Sequence, residues 1–178
     1  MEFPVVYAAG KAGWGSKELP PNTGMGIAVS SAEERQSPTW VAGIAEVTVD
    51  PKTGRYKINR LTIAMDPGTV INPLNTKAQI QGSALWGASQ ILAERLTVKD
   101  GAFEQSNFHD YQPIRLADVP PIDVELIDSG HHPSGVGEPA STIVAPAVAN
   151  AIYNAVGVRV RHMPITAEAV LEALKKKT

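Results

Sequence analysis

Two β-branched and aromatic-rich runs either side of a five-residue turn constrain this chain more than any other feature. Residues 39–50, from Thr39-Trp40-Val41 to Val47-Thr48-Val49-Asp50, and residues 55–65, from Arg55 to Met65, carry the side chains that suit a pleated, packed surface. Between them Asp50-Pro51-Lys52-Thr53-Gly54 supplies turn residues, so the runs are predicted to pair as a β-hairpin. Segment 74–95 then switches to a helical period, with Leu74, Ala78, Gln81, Leu85, Ala88 and Leu92 on one stripe and Ala84 and Ile91 beside it. This is predicted to be the longest helix. Gly82, Ser83, Gly87 and Ala88 are small for a helix interior, where glycine costs about 1 kcal/mol against alanine, so another helix or a sheet is expected to pack closely there.

The remaining elements are shorter. Residues 96–109 read as a strand, a turn at Asp100-Gly101 and a second extended segment; Ile122 to Ile127 alternates as a strand after Pro120-Pro121. Pro146 suits a first helical turn, Ala147, Val148, Ala151, Ile152, Ala155 and Val156 follow at helical spacing, and Gly157 suits its end. Thr166 is placed to cap a last helix with the stripe Ala167, Val170, Leu171 and Leu174, whose three terminal lysines complement the helix dipole. Residues 10–26 hold glycine and proline with little period and are expected to be irregular, Gly24-Met25-Gly26 forming a turn or bulge. The class is α+β.

Composition narrows the functions. With 178 residues, 43% of them apolar, the chain can build one or two small domains with a core. A net charge of −2 gives no field for nucleic acid, and no run is long and apolar enough for direct membrane insertion. The absence of cysteine excludes disulfides, thiolate nucleophiles and an iron–sulfur cluster held by this chain. His109, His131, His132 and His162 show no metal-ligand spacing, so no metal ligand is expected from the chain itself. Ser134 and Ser141 lack a His–Asp set for a serine hydrolase, and Asp110-Tyr111 with Arg115 reads as an ion-pair or hydrogen-bond corner.

Ser134-Gly135-Val136-Gly137-Glu138-Pro139 is the stretch with most chemistry. Its glycines permit close backbone approach, and Pro139 biases Glu138 away from helical backbone angles, so a rigid loop can hold this carboxylate. Val136, Pro139, Ile143 and Val144 are apolar neighbours, as a general base raised toward working pH requires. A surface turn with a solvated glutamate explains the same residues. Gln79, an amide on the long helix, could exchange two hydrogen bonds with a planar heterocycle or stand on a solvated helix face.

In order along the chain these pieces resemble one family, the molybdenum-cofactor-binding large subunits of the xanthine dehydrogenase and aldehyde oxidase superfamily. The resemblance rests on Gly135-Val136-Gly137-Glu138-Pro139, on 145–152 (Ala145-Pro146 to Ala151-Ile152), and on 157–166, Gly157-Val158-Arg159 to Pro164-Ile165-Thr166. Upstream, Ala64-Met65-Asp66-Pro67-Gly68, Val70-Ile71-Asn72-Pro73 and Gln79-Ile80-Gln81-Gly82 are similar to that family's D-x-G, N-P and Q-x-x-G run. Ser106 to Tyr111 and Arg115 point more narrowly to the isoquinoline 1-oxidoreductase β-subunit type, near the membrane-associated aldehyde dehydrogenases. The resemblance implies a mixed sheet with packed helices. It makes Glu138 the general base that deprotonates a hydroxyl on molybdenum, whose oxygen then attacks an electron-poor carbon of an N-heterocycle or aldehyde while hydride passes to a sulfido ligand. It assigns Gln79 to the pterin of molybdopterin cytosine dinucleotide and the backbone at Gly137 to the metal's ligands.

The family's large subunits are several times longer, so residues 1–178 resemble a C-terminal segment, incomplete without upstream parts, with Met1 an expression start or the start of a split or truncated gene. The implied partners are the upstream half of the large subunit, a two-iron two-sulfur small subunit that takes the electrons, and a small-molecule substrate. The resemblance favours a periplasmic or membrane-associated location and leaves the cytoplasm open. Residues 31–38 match poorly and are expected to form a variable loop. The alternative function is a binding or scaffolding module that keeps the fold without activity.

Overall fold

The computed structural model describes residues 4–34 and 37–177. Met1, and residues 35–36 of the expected variable loop, lie outside the described residues. The sheet is built from β1 (Thr23–Glu34), β2 (Ser37–Val49), β3 (Tyr56–Asp66) and β6 (Ile122–Leu126), in the order β1-β2-β3-β6. The first three strands are antiparallel and β6 runs parallel to β3, so the sheet is mixed. β4 (Val98–Lys99) and β5 (Ala102–Phe103) form a separate short ribbon about Asp100-Gly101. The helices are α1 (Pro4–Ala12), α2 (Pro73–Leu92), α3 (Pro139–Val156) and α4 (Ala167–Lys177).

The predicted hairpin is present, paired from Trp40↔Asp66 to Val49↔Tyr56. Its turn closes because Asp50 accepts from the Lys52 N–H at 2.9 Å and the Thr53 hydroxyl at 2.7 Å, and Gly54 takes φ +73°. Strand β2 is buried on both faces, which its unbroken apolar run already suggests. Val41, Ala45, Val47 and Val49 join the main core under α2, α3 and α4, while Ala42 and Ile44 meet Ala8 of α1 on the opposite face. The result is three layers, with α1 on one side of the sheet and the other helices on the second.

Several expectations are corrected. Residues 10–26 are not irregular throughout: α1 ends at Ala12, turns follow, and β1 begins at Thr23. Gly24 and Gly26 lie within β1 rather than in a turn. A Cβ on Gly26 would stand 2.1 Å from the Ala147 carbonyl oxygen and 2.2 Å from the Ala151 nitrogen, so the glycines let α3 lie directly on the strand. Asn150 and Asn154 donate to the Ile27 and Met25 carbonyls at 3.1 and 2.7 Å, covering this edge strand with a helix. The described residues of 31–38 extend β1 and β2 rather than forming a loop.

Helix α3 starts at Pro139, not Pro146, which lies inside it. An internal proline costs about 3 kcal/mol. Burying Ile143 and Val144, each about 1.5–3 kcal/mol, offsets that cost, and the glutamate loop runs directly into the helix. The stripe foreseen for α2 is also rotated. Ile80, Ser83, Ala84, Gly87, Ala88 and Ile91 are buried, whereas Leu74, Ala78 and Gln81 are exposed. The ends of α3 and α4 follow expectation: Gly157 takes φ +72°, and the Ala169 N–H donates to the Thr166 hydroxyl at 3.2 Å.

Candidate functional site

Because β6 is parallel to β3, the loops leaving both strands emerge at one end of the sheet, where β2 begins. The loop after β6 is held there by a series of hydrogen bonds. Thr69 N–H donates to the His131 carbonyl at 2.9 Å, and Ser134 donates through N–H to Pro67 at 2.8 Å and through its hydroxyl to Ser37 at 2.7 Å. Thr39 completes the series, its hydroxyl donating to the Gly135 carbonyl at 2.8 Å. Asp66 is buried and takes the Gly68 N–H at 3.0 Å and the Ser129 hydroxyl at 2.7 Å, fixing the neighbouring turn. His131, Ser134 and Gly135 are thus tied to the sheet end, and Val136 packs against the core.

Glu138 itself is the N-cap residue of α3, followed by Pro139 at the first helical position. Its φ −114° and ψ −31° are right-handed helical values, so the extended backbone expected before a proline is not adopted. Closing the first turn of α3 outweighs that local preference. The Glu138 carboxylate is exposed and takes no hydrogen bond or ion pair from the described residues. The sequence expectation of a dry carboxylate among apolar neighbours does not hold in this chain, because Ile143 and Val144 turn into the core.

Gln79 lies on α2 and is likewise exposed. A Cβ on Gly137 would sit 3.3 Å from its Nε2, tighter than ordinary contact, so the amide end lies close against this backbone and a side chain at 137 would push it aside by a few tenths of an ångström. The structure thus brings Gln79, Gly137 and Glu138 together from two elements far apart in sequence. Ser83, one turn after Gln79, is buried, and its hydroxyl accepts the Ser141 N–H at 3.0 Å. One turn further, a Cβ on Gly87 would meet the Ser141 carbonyl oxygen at 2.7 Å. Ser83 drew notice in the sequence only as a small residue; Thr39 gave no signal beyond strand propensity, and Ser37 fell in the expected variable loop.

The other candidates stay apart. Asp110 accepts from the Ser106 N–H at 2.9 Å and the Asn107 N–H at 2.8 Å, bonds that hold its carboxyl at about 2, below the usual carboxylate range. Tyr111 hydrogen-bonds Glu94 and Arg115 donates to Gln112 at 3.0 Å, so the expected corner is a set of separate bonds rather than one cluster. Among the described residues no group of three His, Asp or Glu side chains is placed to hold a metal ion.

Residues 14–120 match the model of the molybdopterin cofactor-binding domain. The chain belongs to this family. The chain is 46% identical, over 93% of its length and 21% of the relative's, to "Membrane-bound aldehyde dehydrogenase [pyrroloquinoline-quinone]" of Gluconacetobacter polyoxogenes. It is 33% identical to isoquinoline 1-oxidoreductase subunit beta of Brevundimonas diminuta, over 81% of this chain and 18% of that one. Quinoline 2-oxidoreductase from Pseudomonas putida 86 shares the fold with a TM-score of 0.67 and 26% identity, over 79% of this chain and 19% of that structure. The chain spans about a fifth of the length of these curated relatives. Within the molybdopterin cofactor-binding domain, the matched span includes Gln79 and Ser83 and ends before the loop that carries Glu138.

Proposed function

We propose that this chain supplies one wall of the active site of a molybdenum hydroxylase that oxidises an aldehyde or N-heterocycle. The observation that carries the reading is the pair of uncommitted polar groups, the Glu138 carboxylate and the Gln79 amide, held beside a bare Gly137 on an anchored, exposed edge. An exposed edge of this kind fits a cofactor approaching from outside the chain. Gln79 would hydrogen-bond the pterin of molybdopterin cytosine dinucleotide, and the Gly137 backbone would lie near the metal's ligands. When bound, the cofactor supplies oxygen transfer and accepts the electrons. The Glu138 carboxylate acts as general base, accepting the proton of the water-derived hydroxyl that enters the substrate. Its anchored loop and the first turn of α3 fix the direction from which that proton is taken.

The partners of this reading are the remainder of a large subunit and a two-iron two-sulfur subunit. The outer side of α2 supports the first. Leu74 and Trp86 are 80% and 74% exposed, and a Cβ on Gly82 would meet nothing within 4 Å. A glycine in mid-helix with open space beside it, among exposed apolar side chains, suits a surface that another body covers.

Molybdenum and cytidine nucleotide per chain, measured on the chain alone and on the chain co-expressed with the upstream part of a related large subunit, test the proposal. Cofactor in the co-purified complex is expected. A second reading follows from the name of the Gluconacetobacter relative, which specifies pyrroloquinoline quinone. Quinone in place of molybdenum in that complex would favour it. No cofactor and no complex would leave an inert module. In the assembled enzyme, Glu138→Gln is expected to cut turnover roughly 10²–10⁴-fold with molybdenum content kept.

A further inference from the structure

Helix α3 begins with an N-cap residue that does not cap. An N-cap side chain ordinarily accepts the N–H of the second or third helical residue, and a carboxylate is well suited to this because it also meets the positive end of the helix dipole. Glu138 makes no such bond. Pro139 has no N–H to satisfy, and the N–H of the third helical residue, Ser141, is taken from another helix by the Ser83 hydroxyl at 3.0 Å. Ser83 is 6% exposed and sits on the row of α2 that runs from Gln79 to Gly87, the same row that touches Gly137 and the Ser141 carbonyl. The Ser141 N–H also shares the Glu138 carbonyl at 3.0 Å, so the backbone of the acid belongs to this junction while its carboxylate does not.

We infer that Ser83 is a positioning residue: by capping α3 from helix α2 it releases the Glu138 carboxylate from the helix end and holds it in register with Gln79. The catalytic consequence rests on Glu138 being the base; the capping exchange does not. With the Ser83 hydroxyl removed, the Ser141 N–H keeps only its bond to the Glu138 carbonyl, and the Glu138 carboxylate, on the N-cap residue itself, is the side-chain acceptor that can take the place of Ser83.

The test is the pH dependence of the Ser141 amide resonance in the 178-residue chain, followed through the carboxylate range in the unaltered protein, Ser83→Ala and the double variant Ser83→Ala/Glu138→Gln. The expected result is a pH-dependent displacement in Ser83→Ala several-fold larger than in the unaltered chain, abolished in the double variant. Equal displacements in a folded Ser83→Ala chain would overturn the inference. Should Ser83→Ala not fold, Ser83→Cys keeps the volume with a weak acceptor and must show the same enlarged displacement. In the assembled enzyme Ser83→Ala should lower kcat with little change in KM. The two readings fail separately: an enlarged displacement with full turnover in Glu138→Gln removes the base and keeps the cap, while an unmoved amide with a dead Glu138→Gln does the reverse.

Discussion

The two sides of helix α2 differ in what they meet. Gly82 and Gly87 stand five positions apart, yet a Cβ on Gly87 would strike the Ser141 carbonyl at 2.7 Å and Val144 at 3.0 Å, whereas one on Gly82 would meet nothing within 4 Å. The inner side is finished within this chain, with Ile80, Ala84, Ala88 and Ile91 in the core. The outer side carries Leu74, Ala78, Gly82 and Trp86 into the open. Small and apolar residues are thus no guide by themselves to which face a helix buries. The apolar and small-residue surface of α2 is larger than this chain covers, and the candidate site lies where the covered and uncovered sides adjoin.

The most severe way to break the inner contacts is on the strand beneath α3. Gly26→Ala places a methyl 2.1 Å from one backbone atom and 2.2 Å from another, and is expected to cost about 3 kcal/mol or more in urea unfolding. Gly87→Ala should cost about 1–3 kcal/mol from overpacking, even though alanine gains about 1 kcal/mol in helix propensity. The same substitution at Gly82 should have the opposite sign, stabilising the isolated chain by about 1 kcal/mol while weakening co-purification with the upstream portion. A stabilised chain that still assembles normally would mean that nothing approaches Gly82. Leu74→Ser with Trp86→Ser should leave stability within about 0.5 kcal/mol and reduce self-association in sedimentation, because these side chains touch solvent.

The smallest expected effect is local and pH-dependent. Asp110 ionises at about 2 in the folded chain against about 3.9 in an unfolded one, so its contribution is fully present above about 3.9 and is lost as pH falls toward 2. The amide resonances of Ser106 and Asn107 should move over that lower range, and Asp110→Asn should abolish the movement. Movement centred near 3.9 would show that the turn does not hold this carboxyl.

Much of the fold was legible because local chemistry and tertiary outcome agreed. The Asp50–Gly54 turn closes the hairpin, Gly157 ends α3 and Thr166 caps α4, each through contacts within a few residues. Three of the failures share one cause. Gly24 and Gly26 carry ordinary turn residues in an extended strand, Pro146 stands inside a helix, and Glu138 takes helical angles before Pro139, all because α3 packs on β1, β2 and α2. The site followed the same division. Gln79, Gly137 and Glu138 were named from their order along the chain, but nothing local links Ser83 to Ser141 or Thr39 to Gly135.

By itself the sequence determined the α+β class, the hairpin, the existence of the longest helix and the family to which the chain belongs, since each depends on short-range period, turn chemistry or ordered motifs. Only the tertiary structure decided which face of α2 is buried, where α3 begins and that the Glu138 carboxylate is left free of capping. Those outcomes depend on backbone surfaces meeting at distances of a few ångströms between segments some sixty to a hundred and twenty residues apart, as in the bonds from Ser141 to Ser83 and from Asn150 to Ile27. Local propensities of about 1 kcal/mol give way there to contacts worth several times as much.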